Sequence, residues 1–116
     1  MSPAEDAALL LRIVRRHLQA MRLNLDPAYP DDEWGYQAQQ ALEKLLKAAV
    51  VLRNQAPERT HVLQQLGEHL PAELMQLQVY AVEARYEEGP FALETPRVQL
   101  LAELERRLVV LEEQLS

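Results

Sequence analysis

Seven prolines, at positions 3, 27, 30, 57, 71, 90 and 96, divide the chain into stretches whose apolar residues recur three and four apart. A proline within a helix removes a backbone hydrogen bond and clashes with the preceding turn, so helices must lie between these positions. No stretch alternates in the manner of a strand. Ser2-Pro3 supplies an N-cap followed by a proline at the first helical position. After it, Leu10, Val14, Leu18, Met21 and Leu25 recur at helical spacing, with Arg12, Arg15, Arg16 and Arg22 on the other sides. Glu5 and Asp6 occupy the first turn, where they suit the helix dipole.

"DPAYP" ends that helix. Asp31 or Asp32 is positioned to cap the next, which is expected to run to about Gln55 with Trp34, Ala38, Ala41, Leu45, Ala48, Ala49 and Leu52 as its apolar stripe. Thr60 is a natural N-cap for "HVLQQLGEHL", a segment weakened by Gly67. Pro71 restarts the chain into a further helix carrying Leu74, Leu77, Ala81 and Ala84, which Gly89-Pro90 ends. Thr95-Pro96 opens the last helix, where Leu101, Leu104, Leu108, Leu111 and Leu115 form a heptad-like seam. Leu100, Val109 and Val110 widen its apolar surface, which serves either a bundle interior or a dimer interface. The short connections predict an all-α, up-and-down bundle of four or five helices, with residues 1–116 as one domain.

Charge narrows the choice of partners. The net charge is −6 over 116 residues. Residues 1–61 are balanced, with eight basic and eight acidic side chains, so residues 62–116 carry the whole excess. A protein that coats DNA needs a broad basic face, and this pattern excludes one. Any contact with RNA or nucleotide phosphate is therefore expected from the first half. There is no cysteine, which removes thiolate chemistry and disulfides. No HExxH motif or carboxylate pair at metal spacing argues for a metal, and three glycines make no phosphate loop. No cofactor is expected. Arginines interrupt the N-terminal apolar run and no segment is long enough to span a bilayer, so a soluble, cytoplasmic protein without a membrane partner is expected.

The second helix carries the most informative pattern. At 100° per residue, Gln37, Gln40, Glu43, Lys44 and Lys47 fall together beside the apolar stripe. One reading is a solvated face with a Glu43–Lys47 pair at i, i+4. The other is a functional edge, in which Glu43 and Lys44 form a polar network and Gln40 and Lys47 meet a ligand phosphate or a partner.

The segments "QAQQALEKLLKAAVVL" and "RTHVLQQL" together resemble the HEPN domain (higher eukaryotes and prokaryotes nucleotide-binding), over roughly residues 5 to 112. "EARYEEG" is similar to an Ala-Arg-Tyr-Pro segment of those domains, with Glu87 in place of the proline. The resemblance implies a helical bundle, commonly a homodimer. It also implies a nucleotide-binding or interaction module acting beside a minimal nucleotidyltransferase, in a toxin–antitoxin-like system. Ribonuclease members of that family use an arginine and a histidine a few residues apart, without a metal.

Three groups of residues answer to these expectations. Gln40, Glu43, Lys44 and Lys47, with Arg85 and Tyr86 at the end of the fourth helix, are the candidate ligand-binding set. Arg85 and Tyr86 have a plainer reading as a cation favoured by the dipole and a tyrosine at the core edge. Arg53 and His61 are the candidate catalytic pair for RNA cleavage, one to hold the phosphate and one for proton transfer. Their seven intervening residues exceed the family spacing by one. Arg12 and His17 match it but point to different sides of one helix. His17 and His69 otherwise stand isolated in the sequence.

Overall fold

A computed structural model describes residues 2–57, 59–66, 69–81 and 86–115. Among them there is no strand. Three long helices form the frame: α1 (Pro3–Leu23), α2 (Asp31–Leu52) and α4 (Arg97–Leu115). Between α2 and α4 lie a 3-10 turn at Leu63–Leu66, the single-turn α3 (Ala72–Met75) and a 3-10 segment, Gln76–Tyr80. The all-helical expectation holds. The fourth helix is shorter and tighter than expected within the described residues; its Ala84 lies outside them.

Local chemistry sets these bounds. The Ser2 hydroxyl accepts from the Glu5 backbone N–H at 3.2 Å while the Glu5 carboxylate reaches back to the Ser2 N–H, a capping box that starts α1. α2 stops at Leu52, three residues short of the expected end. Asn54 adopts φ 60°, and the N–H groups of Asn54 and Gln55 return to the carbonyls of Val51 and Val50. Asparagine tolerates this left-handed position better than most residues, so the Schellman-type closure falls there.

Asp31 and Asp32 do not cap α2. Pro30 is the N-cap and makes no side-chain cap bond. The two carboxylates instead accept from the backbone N–H groups of Leu93 and Phe91, tying the segment before α4 to the start of α2. Arg97 completes this junction. It donates to the carbonyls of Asn24, Asp26 and Tyr29 and to Asp31, and its guanidinium lies 5.7 Å from the centre of the Trp34 ring.

The core joins Leu11, Val14, Leu18 and Met21 of α1 to Trp34, Ala38, Leu42 and Leu45 of α2 and to Leu101, Leu104 and Leu108 of α4. Leu100 belongs to this interior, not to an outer face. The buried Trp34 indole N–H donates to the Met21 carbonyl at 3.0 Å. Leu63, Leu66, Leu74, Leu77 and Tyr80 close the remaining side of α2. Tyr80 lies so close to Gly35 that a Cβ there would stand 2.6 Å from its ring. Its hydroxyl donates to the Phe91 carbonyl at 2.7 Å. On the outside, Arg15 pairs with Glu112 and Arg22 with Glu105, each at 2.5 Å, clipping α1 to an antiparallel α4.

Candidate functional site

The polar edge of α2 is a continuous chain of contacts. Lys44 Nζ donates to Gln40 Oε1 at 2.8 Å, and Gln40 Nε2 donates to Gln39 Oε1 at 2.8 Å. Gln39 Nε2 donates to Glu43 Oε1 at 3.3 Å. The other carboxylate oxygen, Glu43 Oε2, faces Lys47 Nζ at 3.6 Å. The edge thus begins and ends in an ammonium, with two amides and one carboxylate between.

Burial separates these residues sharply. Glu43 is 4% exposed and Gln39 fully buried, although both are polar. A carboxylate taken out of water persists only with close partners. Glu43 has three: Gln39, Lys47 and, at 2.7 Å, His61 Nδ1. The Thr60 hydroxyl accepts from the Val62 N–H at 3.0 Å, starting the turn that carries His61.

On the opposite flank, His17 of α1 donates from Nδ1 to Gln37 Oε1 at 2.7 Å. Its other ring nitrogen, Nε2, is buried and has no hydrogen-bond partner among the described residues. Burial pushes the His17 pKa down; the Gln37 bond opposes this, while Lys44 and Arg16 push it further down. The uncharged imidazole is therefore favoured. Lys44 is half-buried, and desolvation lowers its pKa, with Glu43 opposing and Lys47 reinforcing the shift. Its hydrogen bond goes to an amide oxygen, not to a carboxylate. A desolvated ammonium held this way has unused capacity for an anion.

The expected ligand-binding residues Gln40, Glu43, Lys44 and Lys47 thus converge, and Lys47 keeps 20% of its side chain exposed. Tyr86 is largely exposed, whereas Arg85 lies outside the described residues. The candidate pair Arg53 and His61 is spread over two faces. His61 bonds Glu43, while Arg53 lines a crevice with Leu45, Ala49 and residues of α4. Those two faces are about a third of a turn apart around α2.

Two residues were missed by sequence reasoning. Gln39 stands i, i+4 from Glu43, a spacing at which an amide and a carboxylate can meet. His17 was set aside as isolated because its partner, Gln37, is on another helix. No group of three or more His, Cys, Asp or Glu side chains suited to a metal occurs among the described residues. Within the same limits, no helix is long and apolar enough to cross a membrane.

An all-helical bundle with a buried carboxylate and two lysines on its second helix is the class this geometry defines. The family model of the HEPN domain matches residues 7–95 of the 116, and the chain belongs to that family. No curated protein and no solved structure matches it significantly.

Proposed function

We propose that this HEPN domain is a binding module whose α2 edge holds the phosphate of a nucleotide. In this reading the module acts with a minimal nucleotidyltransferase in a toxin–antitoxin-like system. The observation that carries the nucleotide reading is the state of Lys44: half-buried, its charge disfavoured by desolvation, and bonded only to the Gln40 amide among the contacts around it. A phosphate supplies Lys44 with a directly bonded anion, which the Gln40 amide does not, and Lys47 stands one helical turn away. Glu43, Gln39 and His61 hold the edge in shape. The exposed Val98 and Val109 on α4 support the homodimer implied by the family.

The test is calorimetric titration of ATP and AMP into the protein and into a Lys44→Gln/Lys47→Gln variant. The reading expects at least tenfold weaker binding by a variant that remains folded. Equal affinities would reject it. Sedimentation at micromolar concentration tests the dimer, and a clean monomer discards it.

The ribonuclease alternative requires Arg53 and His61 at one phosphate. Their separate faces make that arrangement depend on a second chain or on movement of the segment between them. RNA cleavage that disappears with His61→Ala would favour it; cleavage by both proteins alike would point to contamination.

A further inference from the structure

The C-terminal half of α2 and that of α4 flank an open crevice of about 460 Å³. Its floor is apolar, built from Leu45, Ala49 and Leu111, and its rim carries Arg53, Arg106 and Arg107. Among the described residues no carboxylate lines it. That concentration of cations contrasts with the chain's net charge of −6. The crevice is on a different face of α2 from the Lys44 edge, so it owes nothing to the function proposed above.

Two of the three guanidinium groups, those of Arg106 and Arg107, are held from outside the crevice. Glu103, which faces the neighbouring groove beside Leu74 and Gln99, accepts from Arg106 at 2.6 Å and from Arg107 at 3.1 Å. The Arg106 bond, followed in effect by that of Arg107, keeps the Glu103 carboxyl below its ordinary range against the opposing cost of burial. One ionised carboxylate thus positions both arginines of α4 at the rim. Arg53 contributes the third cation from the C-cap of α2, where the backbone bonds to Ala49, Val50 and Val51 fix its base.

We infer that this crevice is a second anion site, which takes a small organic monophosphate. A guanidinium is a planar fork of donors that matches phosphate oxygens two at a time, and it remains charged at any physiological pH. Arginines converging from two helices suit a dianion with several acceptors better than a single carboxylate. The floor sets the rest of the ligand: a flat or aliphatic body, lying on Leu45, Ala49 and Leu111, gains by leaving water. The volume lies within the range of small-molecule sites, roughly 300–1,000 Å³.

Phenyl phosphate, inorganic phosphate and phenol are the probes, titrated into the isotopically labelled protein and followed by backbone amide resonances. Phenyl phosphate is expected to shift Ala49, Arg53, Val110 and Leu111 together. Inorganic phosphate should bind at least fivefold more weakly, and phenol should leave those signals in place. Arg53→Gln and Arg107→Gln should each weaken phenyl phosphate at least tenfold. Ala49→Leu, which fills the floor without altering a charge, should also weaken it while the unfolding midpoint holds. Lys44→Gln/Lys47→Gln should leave this titration unaltered, so the two sites stand or fall separately. Shifts clustered elsewhere, equal binding of phenol, or an Arg53→Gln titration that matches the parent would overturn the assignment.

Discussion

Glu43 and His61 meet at 2.7 Å, the one almost wholly buried and the other mostly in solvent. The contact ties the segment after α2 to the middle of that helix, and the buried end of the pair gives it weight. Glu43→Ala removes the only carboxylate in the chain of contacts and leaves Gln39 and Lys47 without an acceptor. A loss of about 2 kcal/mol is expected, less than for a fully enclosed ion pair because His61 is exposed. Urea denaturation measures it. Amide exchange should quicken at Leu63–Leu66 more than in α1.

Lys44 behaves in the opposite way. Its desolvation is a cost to the folded state, so Lys44→Met should leave stability unchanged or raise it by about 0.5 kcal/mol. Nucleotide affinity should fall at the same time. A joint loss of affinity and stability would indicate a purely structural lysine.

His17 makes stability depend on pH in a predictable direction. Burial, opposed by the Gln37 bond and assisted by Lys44 and Arg16, holds its folded pKa below the ordinary value. The unfolded chain therefore binds the proton more readily. This contribution is complete above about pH 6.5 and is lost as pH falls from there through the folded pKa. Unfolding midpoints at pH 7.5 and 5.5 should differ less in His17→Gln than in the parent.

Gly35→Ala tests the contact between α2 and the 3-10 segment. The new methyl would stand 2.6 Å from the buried Tyr80 ring, which is anchored at its hydroxyl by Phe91. Overpacking of this kind costs about 1–3 kcal/mol. Thermal denaturation followed by the fluorescence of Trp34 provides the readout.

Arg97→Lys separates charge from geometry. Lysine retains the cation but not the fork that reaches three carbonyls and Asp31. A loss of about 2 kcal/mol is expected by denaturation. The Trp34 emission should change as the guanidinium leaves its face.

The frame was legible because α1, α2 and α4 each repeat their apolar residues over many turns, and capping signals such as Ser2-Pro3 mark a start. The polar edge was also legible, since Gln40, Glu43, Lys44 and Lys47 share one side of α2. What α2 alone does not reveal is which residues its neighbours cover. Glu43 gains its partner from outside α2 only when His61 folds back onto it, and His17 acquires a role only when α1 lies against Gln37. The span after Pro71 misled for another reason: leucines three apart fit a 3-10 segment as well as an α-helix. The crevice around Arg53 is a product of tertiary packing, with the other two of its three cations, Arg106 and Arg107, more than fifty residues away in the chain.

The two outer clips between α1 and α4 gauge the alignment of those helices. Each helix carries its two partners seven residues apart, so a single sliding position engages both Arg15–Glu112 and Arg22–Glu105. Displaced by a heptad, Arg15 would meet Glu105 while Arg22 faced Val98. The leucines of α4, repeating near that same interval, discriminate poorly against such a slip. Exposed pairs add little to stability, yet here they select one docking position from a ladder of nearly equivalent ones.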